Sequence, residues 1–187
     1  VHLCVFTRLC QGICFIDEQD DSAAGFAITR LELFGLLDGV VDQQWRGVLV
    51  QFRPGRLVDE ADRAEIKNLI DSLPKSEVEL NERFYRDLEF GTGGLRAPMG
   101  MGSNRMNKYN VRRATQGLVN MMLKYEKSGS AVVSYDSRHN SFAFAKEVAS
   151  VFAANGIKAY LFKQLTPTPV LSFAVRQYKA LGGVMIT

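Results

Sequence analysis

The sequence predicts a three-layer α/β/α fold with a mostly parallel sheet, preceded by helices and an irregular amino-terminal extension. Three observations carry this expectation. From residue 131 onward, short apolar runs alternate with helical periods: AVVSY (131–135), a helix from Ser141, IKAYLF (157–162), a helix from Thr168, and a last run from Gly183 to Thr187. Strand, helix, strand, helix, strand is the order of parallel strands joined by right-handed crossovers, with helices on both faces. Upstream, residues 59–88 carry apolar side chains at helical spacing. Between the two regions lies a glycine-dense segment, FGTGGLRAPMGMGSNRMN (90–107).

The elements follow in chain order. Residues 1–56 show no sustained period; runs such as AITRLELFGLL and WRGVLVQF are broken by Gly25, Gly35, Gly39, Gly47 and Gly55, so a few strands or hairpins are expected there. The expected division is an extension over 1–56, a helical lead-in over 57–90 and an incomplete α/β domain over 91–187. DEADRAEIKNLIDSL brings Ala61, Ile66, Leu69, Ile70 and Leu73 near one helical face, and Pro74 follows its end. Ser76 and Glu79 have the spacing of a capping box, after which Leu80, Phe84 and Leu88 recur every four residues. Asn110 is placed to cap a helix with Val111, Ala114, Leu118, Met121 or Met122, and Tyr125 on one side. In the next helix Phe144, Val148, Ala149 and Phe152 face inward, and Asn155-Gly156 stops it. Thr168 followed by Pro169 is a strong start for the last helix.

Composition narrows the function classes. The chain has 187 residues, 47% of them hydrophobic and 23% charged, as in an ordinary soluble globular protein. That length can bury a core without metal or disulfide staples. Cys4, Cys10 and Cys14 match neither a disulfide framework nor zinc-ligand spacing and read as reduced thiols. With no apolar run of about eighteen residues and no basic leader, no membrane contact is expected and a cytoplasmic protein is. The net charge of +3 suits a phosphorylated small molecule and is far from the basic stripe of a nucleic-acid binder. Arg105, Lys108, Arg112 and Arg113, with only Tyr109 interleaved, read as a solvated helix end. The chain starts at Val1 and stops at Thr187 directly after an apolar run, and a fragment of a longer protein is expected.

Two segments carry chemistry. The glycine segment contains neither a P-loop string nor a complete dinucleotide fingerprint. Within it, Arg96 follows Thr92, Gly93 and Gly94; a guanidinium is permanently charged and pairs bidentately with phosphate, and the N–H groups of a glycine loop suit the same ligand. At the carboxyl end of the first predicted parallel strand stands YDSRHNS (135–141), where ligands gather in open α/β sheets. Asp136 and Arg138 can orient phosphate-binding groups, or pair with each other or with Arg96 to hold the loops. His139 has no serine elbow or metal partner nearby and reads as a solvated loop residue. Thr166-Pro-Thr-Pro169 rigidifies the turn after the second parallel strand.

Taken together, FGTGGLRAPMGMGSNRMN, SYDSRHNS, TPTPVLSFAVR and GGVMIT, in this order and spacing, resemble the first domain of the α-D-phosphohexomutases of the long phosphoglucomutase/phosphomannomutase type. The likeness covers roughly residues 59–187 and does not extend to residues 1–56. The resemblance implies a four-domain enzyme in which a phosphoserine exchanges a phosphoryl group with a glucose or mannose phosphate, moving it between positions 1 and 6 through glucose 1,6-bisphosphate, with Mg2+ as cofactor. It implies that Arg96 is catalytic, that Thr92, Gly93 and Arg96 bind substrate, and that Asp136, Arg138 and Thr187 support them. In that family the serine lies in a Thr-Ala-Ser-His-Asn-Pro loop, which here would begin at Thr187. On that pattern the serine and the metal loop are absent, the chain alone is inactive, and its partners are a sugar phosphate and the remaining mutase domains. Gly94 stands where many members carry alanine or serine, and Ala97 where glycine is common; both are small. The alternative is a non-catalytic phosphate-binding module or a truncated gene product.

Overall fold

The computed structural model describes residues 2–7 (as backbone), 59–91 and 93–187. Thr92, and the expectations placed on residues 8–58, lie outside the described residues. Those described divide into two units, residues 59–88 with 99–107 in one, and residues 2–7, 89–98 and 108–187 in the other.

In the first unit, helix α1 (Glu60–Asp71) and helix α2 (Glu77–Phe84) are amphipathic, and Ile66, Ile70, Leu80, Phe84 and Leu88 are buried as their spacing requires. Ala61, expected on the inner face, is exposed. The capping box at Ser76 does not form. Ser76 sits at φ −91° and ψ 5° instead of the extended conformation an N-cap needs, and its hydroxyl donates back to the Leu69 carbonyl. Glu79 instead accepts from Arg83, whose guanidinium also pairs with Glu65 at 2.5 Å and donates to the Met101 carbonyl at 3.1 Å. Around this arginine the segment Met99–Asn107 is folded down. Gly102, at φ +139°, lies so close that a Cβ there would come within 2.5 Å of the Arg83 carbonyl oxygen. Asn107 closes the loop by donating to the carbonyls of Gly100 and Gly102 at 3.1 and 2.9 Å.

The second unit is a six-stranded sheet with helices. Its strands are β1 (His2–Thr7), β2 (Phe90–Gly91), β3 (Gly94–Arg96), β4 (Ser130–Tyr135), β5 (Lys158–Leu161) and β6 (Gly182–Ile186), in spatial order β2-β3-β1-β6-β4-β5. The predicted parallel part is β6-β4-β5. On its far side β6 pairs antiparallel with β1, β1 with β3, and β3 with β2. β-Branched and small side chains fill β4 and β6, which are buried on both faces.

Helix α3 (Lys108–Tyr125) buries Val111, Thr115, Leu118, Val119 and Met122. It starts two residues before Asn110, which lies inside it, and Tyr125 is exposed. Helix α4 (Ser141–Ala154) buries Phe144, Ala145, Val148 and Phe152; Asn155 caps it and Gly156 follows at φ +75°, as Asn155-Gly156 predicts. Helix α5 (Thr168–Gln177) packs Leu171, Ala174 and Val175 against Val132 and Met185. Its N-cap is Pro167, one residue before the expected Thr168.

Candidate functional site

The glycine segment is not one continuous ligand loop. Its second half, Met99–Asn107, belongs to the helical unit described above, while its first half forms a hairpin in the sheet. Gly91 pairs with Gly94 across a two-residue turn, and Gly93 takes φ +87°, a left-handed value that suits such turns and favours glycine. Arg96 ends β3 and is exposed. A Cβ on Gly93 would come 3.3 Å from Nη2 of Arg96, so the guanidinium lies back against the turn.

Several of the described arginines pair with carboxylates, whereas Arg86 meets Asn104 and the Tyr85 ring and Arg176 donates to the Ser172 hydroxyl. Arg83 pairs with Glu65 and Glu79, Arg105 with Glu82, Arg112 with Glu147 and Arg138 with Asp136. Among the described residues no carboxylate pairs with Arg96. A solvated cation with nothing to neutralise it retains its full attraction for an anion.

Strand register shows which edge this cation occupies. Leu3 pairs with Leu95 on one side and with Ile186 on the other, and Ile186 pairs in turn with Tyr135. The next row therefore runs Arg96, His2, Thr187, Asp136, with Arg96 paired directly to His2. β3 is antiparallel to β1, and β1 to β6, so β3 and β6 point the same way. Arg96 and Thr187 both stand at the carboxyl edge, two inter-strand spacings apart, or about 10 Å.

At that edge Asp136 is the hub. The Thr187 hydroxyl donates to its Oδ2 at 2.6 Å, the Ser141 hydroxyl and the Arg138 backbone N–H each donate to Oδ1 at 3.0 Å, and Arg138 Nε lies 3.2 Å from Oδ2. Burial pushes the carboxyl up. Hydrogen bonds from Thr187, Arg138 N–H and Ser141, with the Arg138 charge, outweigh it and hold Asp136 below the usual carboxylate value. The carboxylate thus ties together the end of β6, the loop after β4 and the start of α4.

Of the residues singled out from sequence, the structure gathers Gly93, Arg96, Asp136, Arg138 and Thr187 in one unit; Thr92 lies outside the described residues. Arg138 pairs with Asp136 and not with Arg96. His139 is exposed, as expected. Ser141 was legible as a helix start but not as a ligand of Asp136; its only sequence signal is a hydroxyl residue at the loop's end. Thr166 is buried, and its N–H donates to the Tyr135 carbonyl at 3.1 Å, so this threonine fastens a loop to the strand that carries Asp136. Among the described residues no helix is long and apolar enough to cross a membrane.

Comparison with known proteins matches this architecture. Residues 87–187 match the family model for phosphoglucomutase/phosphomannomutase, alpha/beta/alpha domain I. A phosphoglucomutase of Staphylococcus haemolyticus (strain JCSC1435) is 40% identical over 104 residues, covering 56% of this chain and 19% of that protein. A phosphoglucomutase of Staphylococcus aureus (strain USA300) is 34% identical over 142 residues, covering 76% of this chain and 25% of that protein. The chain thus spans a quarter or less of the length of these curated relatives. No solved structure matches it. The family match takes in the hairpin with Arg96, the Asp136 hub and the strand ending at Thr187. On that match, the chain belongs to the phosphoglucomutase/phosphomannomutase family.

Proposed function

We propose that the chain is the amino-terminal part of a hexose-phosphate mutase that moves a phosphoryl group between positions 1 and 6 of a glucose or mannose phosphate through an enzyme phosphoserine. The observation that supports this most is Arg96, an exposed arginine without a carboxylate partner among the described residues, at the same sheet edge as Thr187. In this reading the reactive serine follows Thr187, so the isolated chain is inactive and the remaining domains of the longer protein complete the cleft.

Phosphoryl transfer is catalysed mainly by positioning and by stabilising charge on the migrating group. Arg96 supplies that charge by swinging its exposed side chain from the Gly93 turn toward the serine loop. Asp136 acts indirectly: by accepting from Thr187 and Ser141 it fixes where the chain leaves β6, and so where the serine stands. Arg138 helps orient Asp136 through its backbone N–H and its guanidinium.

The family resemblance implies Mg2+ and a glucose 1,6-bisphosphate intermediate. Among the described residues no group of three or more His, Cys, Asp or Glu side chains could hold a metal ion, so they do not fit that cofactor. The steps above use only the chain's own groups, and the metal ligands are assigned to the rest of the longer protein. A cytoplasmic site of action goes with this substrate.

The test is a chimaera in which this chain replaces the corresponding quarter of the Staphylococcus aureus phosphoglucomutase. Conversion of glucose 1-phosphate to glucose 6-phosphate, or of the mannose phosphates, is the expected result. A folded chimaera that binds inorganic phosphate but turns over neither sugar phosphate would favour the non-catalytic phosphate-binding module instead.

A further inference from the structure

β1 is a structural oddity. Five of the six strands, β2 to β6, lie within the residues that match the family model, 87–187, and β1 lies outside them. Yet β1 is central. Without it the order β2-β3-β1-β6-β4-β5 falls into a two-stranded hairpin and a three-stranded parallel sheet, with no ladder between them. The family segment by itself therefore presents a gap one strand wide. Both walls of that gap, β3 and β6, offer unpaired N–H and C=O groups, and both accept β1 in the antiparallel sense. An isolated two-stranded hairpin is marginal in water, so the piece that carries Arg96 depends on whatever fills the gap.

We propose that the space between β3 and β6 is a strand-docking slot, that its ligand is the chain's own extended segment His2–Thr7, and that its occupancy is what holds Arg96 level with Thr187. Recognition is by main-chain ladder, as in other strand additions: five residue pairs with β6, from Leu3↔Ile186 to Thr7↔Gly182, and two with β3, His2↔Arg96 and Leu3↔Leu95. The strand is apolar at Leu3, Val5 and Phe6, which suits a central position between two buried neighbours. A six-residue ligand joined by a ladder to both walls is removable by one substitution: proline at Val5 deletes a donor and clashes within a central strand. Only the consequence for phosphoryl transfer rests on the role of Arg96 proposed above; the docking itself does not.

Register makes the test specific. Cys4 stands directly opposite Met185, and opposed Cα atoms in an antiparallel pair lie about 4.5–5.5 Å apart, within disulfide reach. In the full chain with Cys10→Ser and Cys14→Ser, the variant Met185→Cys is expected to form an intramolecular disulfide with Cys4 on mild oxidation. Val184→Cys, one position along and on the other face, is expected not to. With Cys4→Ser and Val5→Pro added to the Met185→Cys chain, a free peptide of sequence VHLCVFT is expected to be captured at least tenfold more than by the same chain retaining Val5. Hydrogen exchange at Val132 and Val133 reports whether the rest of the sheet is intact, and Thr7→Pro at the strand's end replaces Val5→Pro if it is not. Equal cross-linking at positions 184 and 185, none at 185, or no gain in peptide capture overturns the docking proposal.

The positional half has its own readout. In a cysteine-free background, spin labels on Arg96→Cys and Thr187→Cys are expected to show dipolar broadening that Val5→Pro abolishes. Broadening that survives Val5→Pro would mean that the slot does not set their spacing. None of these measurements involves turnover, so a failed docking test and a failed mutase assay are separate outcomes.

Discussion

Asp136→Asn isolates the charge of the hub with almost no change of shape. The amide keeps one oxygen to accept from the Arg138 N–H and Ser141, but it replaces the other with a donor facing the Thr187 hydroxyl, 2.6 Å away, and Arg138 Nε, 3.2 Å away. A hydrogen bond to a charged group contributes about 1.5–3 kcal/mol. The Arg138 pair adds less than about 1 kcal/mol, since that side chain is 53% exposed. The expected loss of stability at neutral pH is therefore about 2 kcal/mol. Because the folded carboxyl is held below its ordinary value, its contribution is fully present above the unfolded value near ~3.9 and is lost as pH falls through the folded one. Urea unfolding of the two full chains, followed by far-ultraviolet circular dichroism, should give a constant gap between pH 5 and 8 that narrows as pH falls below the ordinary carboxylate value. A gap below about 0.5 kcal/mol at pH 7, or one that persists unchanged in acid, would refute the assignment of Asp136 as an ionised hub.

Three glycine substitutions separate strain from crowding, all read as shifts in urea unfolding. Gly102→Ala adds a Cβ 2.5 Å from the Arg83 carbonyl oxygen at φ +139° and should cost about 3 kcal/mol or more. Gly156→Ala has a similarly left-handed φ, +75°, but open space around it, and should cost only about 1–2 kcal/mol. A larger effect at Gly156 than at Gly102 would contradict the packing around Arg83. Gly183→Ala pushes into Val175, 2.7 Å away, and into Leu171 and the Val132 carbonyl at 3.0 Å, and should cost about 1–3 kcal/mol by overpacking the α5 face.

The parallel half of the sheet was legible because its signals are local. β-Branched runs marked β4, Asn155-Gly156 stopped α4, and Gly182–Ile186 read as buried because every position in it is apolar or glycine. The ladders of β1 were not, because they join residues far apart in sequence: nothing in HLCVFT signals a partner in GLR or GGVMI. The split of the glycine segment was hidden for a similar reason. Arg83 gathers Met101 and Gly102 onto the helices through contacts nineteen or fewer residues away, yet no periodic pattern encodes a side chain folded under a loop. Capping was misread at Ser76 because the spacing of a capping box does not specify the backbone angle that lets the hydroxyl reach its own helix. At the site, residue types alone named Arg96, Asp136 and Arg138. They left the pairing of Arg138 open; in the structure Asp136 holds it, and Arg96 has no carboxylate partner among the described residues.

That contrast is the centre of the account, and kcat of the phosphoglucomutase chimaera carrying Arg96→Ala tests it most directly. Loss of a charge-stabilising donor of this kind lowers turnover by about two to three orders of magnitude, and the account predicts that loss, with partial recovery in Arg96→Lys. Turnover equal to that of the unsubstituted chimaera would contradict it and remove Arg96 from the chemistry.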